Sequence, residues 1–86
     1  MKQFNSYSDV PKDFTGACKL LIDDAVRYFK NGKRHREDGP AVEHEDLRKS
    51  WYYKGKCYGI DFDFINESWK EKVEYLKREE ELEIFK

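Results

Sequence analysis

Two thiols and two imidazoles, at Cys18, His35, His44 and Cys57, are side chains that could hold a zinc ion. Structural Zn²⁺ sites place their ligands in close pairs on a turn, as C-x-x-C or H-x-x-x-H, and no such pair occurs here. A Cys-His nucleophile meets the same objection, because nothing in the chain marks an orienting group or an oxyanion donor. Glu37-Asp38 offers adjacent carboxylates for acid-base work, yet Asp38 opens Asp38-Gly39-Pro40 and is accounted for as a turn residue. The chain is therefore read as non-enzymatic, with no catalytic residue, cofactor or metal expected.

The basic run is the stronger lead. Arg27, Lys30, Lys33, Arg34 and Arg36 fall within ten residues, interleaved with Tyr28, Phe29 and His35. Rings beside cations are the ingredients of single-stranded RNA binding. Together with Tyr53 and Lys56 from a second aromatic-to-lysine stretch, Arg27, Lys30, Lys33, Arg34, His35 and Arg36 are the candidate binding residues, towards protein or RNA. A plainer account competes. The next ten residues carry Glu37, Asp38, Glu43, Glu45 and Asp46, and hairpin pairing would lay these acids across from the bases, each pair worth under about 1 kcal/mol. Trp51, Tyr53 and Trp69 read more simply as core than as a ligand platform.

These residues need a scaffold, and 86 residues allow one domain (1–86) that buries only about 60 to 65% of its unfolded surface. Apolar residues are 38% of the chain and aromatic residues 16%, so a few large rings must supply most of the burial. Seventeen bases against 18 acids give a net charge of -1, so any attraction to nucleic acid or anionic lipid must come from a local patch. The start shows no apolar leader, and the longest aliphatic run is Leu20 to Ile22, which predicts no membrane association and a cytoplasmic location with both cysteines as thiols.

Alternation of Cys18, Leu20 and Ile22 predicts a strand broken by Asp23-Asp24, and Asn31-Gly32 is a strong signal for a type I′ hairpin. Further short strands follow around Val42 and Trp51-Tyr52-Tyr53. The spacing of Ile65, Trp69, Val73 and Leu76 predicts one amphipathic helix over 63–80, capped by Asn66 or by Ser68 with Glu71. Glu79 to Glu81 oppose the helix dipole and predict a stop near Glu80. The expected fold is α+β: a small antiparallel meander of β-hairpins, four or five strands over 14–60, covered by that helix. Residues 1–13 are expected as an N-terminal extension and 81–86 as a tail, whose Leu82, Ile84 and Phe85 could serve a homodimer contact.

The chain also repeats itself. Tyr28-Phe29 matches Trp51-Tyr52, Gly32-Lys33 matches Gly55-Lys56 and Asp38 matches Asp61, each offset by 23 positions. Asn31 becomes Lys54 in the second copy, which should weaken that turn. The run YFKNGKRHREDGPAVE, preceded by VPKDFTG and followed by WYYKGK, resembles the NGK/HREDGPA repeat of small tailed-phage and large DNA virus proteins, a relative of MORN-like repeats. The likeness covers residues 10 to 61, and CYGID stands where a full second copy would read HREDG. The resemblance implies hairpin repeats and a viral protein, and brings no catalytic residue. By size and style the chain is also similar to the toxin-inhibiting proteins of T-even-type phages. The functional expectation is a small binding protein in the host cell cytoplasm, inhibiting a host protein such as a toxin-antitoxin RNase or another nuclease. The alternatives are RNA binding through residues 27–36 and a structural role in the virion.

Overall fold

A computed structural model describes residues 1–84 and shows an α+β fold, an open and mostly antiparallel sheet with one C-terminal helix. Among these residues seven strands form the sheet: β1 (Lys2–Phe4), β2 (Gly16–Leu20), β3 (Ala25–Lys30), β4 (Lys33–Arg34), β5 (Val42–Glu43), β6 (Lys49–Tyr53) and β7 (Lys56–Ile60). The spatial order is β1-β2-β3-β5-β6-β7, with β4 also against β3. The count exceeds the four or five strands expected, and β1 runs parallel to β2, so residues 1–13 belong to the sheet and its packing instead of forming an extension.

Both two-residue turns take the left-handed geometry that a type I′ hairpin demands. Asn31 and Gly32 have φ of 51° and 79°, and Lys54 and Gly55 repeat this at 51° and 86°. Lys54 therefore adopts a conformation that costs an ordinary L-residue about 1–2 kcal/mol, and the turn forms because its surroundings hold it. Strand β2 ends at Leu20 and not at Ile22, which is exposed in the turn before Ala25.

The sequence HREDGPA is threaded through the sheet. His35 N–H donates to the Tyr28 carbonyl at 2.9 Å, and Tyr28 N–H donates to the Ala41 carbonyl at 2.8 Å, so one residue of β3 serves both ends of the segment. Arg36 and Ala41 donate to Tyr52 and Ser50 of β6. Residues 33–36 and 41–43 thus fill a single slot between β3 and β6, and residues 37–40 loop out between them. The slot is filled because backbone N–H and C=O groups left inside a sheet must be paired.

Cross-strand register sorts the side chains onto two faces. Cys18 lies opposite Arg27, Arg27 opposite Val42 and Val42 opposite Ser50, which defines a front face. Trp51 and Tyr53, one residue out of phase with Ser50, point to the back. The buried front cluster is Cys18, Leu20 and Phe29, covered by Phe4, Val10 and Phe14 of the N-terminal segment. The back cluster is Trp51, Tyr53, Trp69, Val73 and Leu76, joined by Tyr58 and Phe64. Each small core lies under a different cover.

The helix α1 (Asn66–Ile84) supplies the back cover. Trp69 N–H donates to the Ile65 carbonyl at 2.9 Å, placing Ile65 at the cap, and Ser68 Oγ accepts the Ile65 N–H at 3.0 Å. The expected Asn66 and Ser68–Glu71 caps are thus replaced by a reversed arrangement, in which the serine reaches back. Trp69, Val73 and Leu76 are buried as their spacing requires, whereas Ile65 is 62% exposed and leaves the stripe. The helix continues four residues beyond Glu80, so residues 81–84 extend it and form no separate tail; Phe85 lies outside the described residues. The dipole penalty is relieved because Glu80 is held by Lys54 Nζ at 2.9 Å and by Tyr53 Oη–H at 3.2 Å. No described helix is long and apolar enough to cross a membrane.

Candidate functional site

Geometry divides the candidate binding residues into an internal set and an outward set. His35 is 7% exposed and lies against the Tyr53 ring, with centroids 4.9 Å apart. Its Nδ1 faces the Lys54 N–H at 2.9 Å, and because that amide can only donate, Nδ1 must accept. The proton therefore sits on Nε2, which donates to Glu37 Oε2 at 3.0 Å. Glu37 also bonds Lys77 of α1, and the Lys77 ammonium with the His35 bond holds the Glu37 carboxyl below its ordinary range. One imidazole thus ties the second hairpin turn, the looped-out segment and the helix together.

Arg36 is used inside the loop. Its guanidinium donates to Asp38 at 3.0 Å, to the Pro40 carbonyl at 3.2 Å and to Glu43 at 3.1 Å, while lying 4.0 Å over the Tyr28 ring. A Cβ on Gly39 would stand 2.9 Å from the Arg36 Cζ, so a side chain there would shift the guanidinium from this seat. The Arg36 carbonyl accepts from Trp69 Nε1–H at 2.7 Å. Asp38 and Glu43 therefore meet Arg36, and Glu37 meets Lys77 of the helix, while Glu45 meets Lys19 of β2 at 3.7 Å and Asp46 meets Arg48, so of the expected pairings with the basic run only those of Arg36 form among the described residues. Arg27 grips Asp23 through two nitrogens at 3.0 and 2.7 Å, and these bonds draw the Asp23 carboxyl down to about 2. Tyr53 is buried core with its hydroxyl on Glu80.

What remains outward is the paired tips of the two hairpins. Lys30 lies directly opposite Lys33, and Tyr53 opposite Lys56, so all three lysines emerge on the back face at the turn end. The tips touch: a Cβ on Gly55 would meet Lys33 Cβ at 3.4 Å, so the Lys33 stem runs along the second turn. Lys30, Asn31, Lys33, His35 and Lys54 line one cleft of about 170 Å³. Among the described residues no carboxylate lies within 4 Å of the Lys30, Lys33 or Lys56 ammonium groups, whereas Lys54 pairs with Glu80. Arg34 leaves on the front face, its guanidinium 4.4 Å from the Tyr52 ring and 5.3 Å from Tyr7.

The first tip is also anchored. Gly32 N–H donates to Phe14 at 2.9 Å and Asn31 N–H to Thr15 Oγ1 at 2.9 Å, so the N-terminal segment clamps the first turn. A Cβ on Gly32 would fall 1.7 Å from the Lys12 carbonyl oxygen. Lys30, Lys33 and Lys56 are legible in the sequence from their charge, whereas the pairing of Lys54 with Glu80 is not, because their meeting depends on where the helix ends. Cys18 is buried and Cys57 exposed, so only the first acts as a small hydrophobe, and among the described residues no three potential ligands gather as a metal site. No family model matches the chain, and no curated protein or solved structure matches it either.

Proposed function

We propose that this chain is a non-enzymatic binding protein of viral type that acts in the host cytoplasm by inhibiting a host nuclease, a toxin RNase being the representative target. The observation that carries the reading is the division of the charged motif. His35, Arg36, Glu37 and Asp38 are bonded to one another, to the sheet and to the helix, while Lys30, Lys33 and Lys56 project from the hairpin tips with no carboxylate among the described residues within 4 Å. A rigid cationic end beside an acidic helix face suits a partner of mixed charge, for which complementarity sets specificity and encounter rate. The resemblance of the HREDGPA run to viral repeats supplies the viral part. Repetition is supported by the left-handed residues Asp24 and Leu47, and Asn31 and Lys54, which recur 23 positions apart.

Affinity capture from a bacterial lysate, with and without RNase treatment, tests this. A stoichiometric protein retained after RNase treatment and lost with Lys30→Glu/Lys33→Glu is the expected result. Absence of any such protein would remove the proposal. RNA binding is a second reading, favoured by the Arg34 guanidinium between two tyrosine rings. It requires affinity for single-stranded RNA to fall with a log–log salt slope of about -0.7 per phosphate contact, and a flat response would exclude it.

A further inference from the structure

Two features of the hairpin tips oppose ordinary sequence preferences at the same place. Lys30 and Lys33 form a directly opposed cross-strand pair, where like charges repel. Lys54 occupies a left-handed position, φ 51°, that asparagine fills in the first hairpin. Local strain of this kind clusters at sites that use the side chain. Both features place lysines around one cleft, which Asn31 and His35 also line.

An anion entering the cleft would relieve the repulsion, and the structure already contains a weak substitute. Glu80 reaches from the helix to Lys54 Nζ at 2.9 Å, and the neighbouring cleft is lined by Lys30, Lys54 and Lys77 together with Glu37, Glu80 and Glu81. The Glu80 carboxylate is held by one lysine, and no carboxylate among the described residues lies within 4 Å of the Lys30 or Lys33 ammonium. A tetrahedral phosphate has oxygens pointing in several directions and can accept from more than two ammonium groups at once, and lysine serves phosphate as a compact point charge.

We propose that the cleft between the hairpin tips binds a phosphate group through Lys30, Lys33 and Lys54, and that Glu80 is an internal competitor for that site. The inference rests on the tips being the recognition end, and it adds the ligand's chemistry and a built-in restraint. The helix end then acts as a gate. Phosphate draws Lys54 away from Glu80, and the last turns of α1 lose one anchor while Tyr53 retains its hydrogen bond to the carboxylate.

The test is titration of the full chain with pyrophosphate, followed by backbone amide resonances, alongside a parallel titration with a short single-stranded oligonucleotide. Saturable shifts at residues 30–33 and 54–56 are expected. Lys30→Gln/Lys33→Gln should weaken binding about tenfold or more, and Glu80→Gln should tighten it about threefold or more. Much tighter oligonucleotide binding assigns the phosphate to a polynucleotide, and similar binding assigns it to a free phosphate compound; either supports the site. Absence of saturable shifts in both arms, or an unchanged affinity in Glu80→Gln, overturns it. A failed protein capture with intact phosphate shifts would sink only the inhibitor reading, so the two fail separately.

Discussion

His35 shows how much one side chain can do when each of its atoms has a partner. A serine or asparagine could satisfy the Lys54 amide or Glu37, but neither would also fill the space against Tyr53. Arg27 and Asp23 make a second paired unit on the front face, with the buried Arg27 Nε left without a hydrogen-bond partner among the described residues. The bonded guanidinium depresses the Asp23 carboxyl to about 2, below its unfolded value of about 3.9, so its stabilising contribution is complete above the unfolded value and is lost as pH falls through the folded one. Because the pair is partly open to water, that contribution is under about 1 kcal/mol. The stability difference between the natural chain and Asp23→Asn should therefore shrink between pH 5 and pH 2, measured by urea unfolding. A difference that stays constant over that range would show that the carboxylate charge contributes nothing.

At the scale of elements, the turns carry the strain and the docking. Gly32 and Leu47 both have positive φ, at 79° and 72°, but they answer to different surroundings. Gly32→Ala should cost at least about 2 kcal/mol, because backbone strain is joined by collision with the Lys12 carbonyl. The Leu47 side chain is exposed, so Leu47→Gly should gain about 0.5 kcal/mol, relief of strain being partly offset by chain entropy. Thermal denaturation of the two variants compares them directly, and equal shifts in Tm would contradict this account of the turns. The strand β7 carries its own device. Trp51 lies opposite Gly59 but Tyr52 lies opposite Cys57, so Tyr58 is an extra residue that bulges this edge strand and blunts it against unwanted pairing.

Across the whole molecule, one sheet is covered on its front at one end and on its back at the other. The shape is correspondingly elongated and thin, with extents of 42 × 28 × 17 Å. Two separate cores make energetic independence the expected behaviour. Leu20→Ala in the front cluster should cost about 2–4 kcal/mol, and its combination with Val73→Ala in the back cluster should be additive within about 0.5 kcal/mol. Denaturant unfolding of both single variants and the double variant measures the coupling. A coupling well above that margin would mean that strain crosses the sheet and that the two clusters behave as one core.

Periodicity and turn chemistry in the sequence were enough for the α+β class, the Asn31-Gly32 hairpin, the helix with Trp69, Val73 and Leu76 inward, and the burial of Trp51 and Tyr53. These are local matters, governed by backbone preference and by the side on which each side chain falls. The parallel strand β1, the threading of HREDGPA between β3 and β6, and the extension of α1 past Glu80 required the tertiary structure. Each depends on a partner far along the chain: Lys2 beside Cys18, Arg36 beside Tyr52 and Trp69, Glu80 beside Lys54. Charge counting could find the basic stretch, but it could not separate the cations already neutralised from those left outward. That separation is a matter of distance, and distance between residues remote in sequence is set only when the chain has packed.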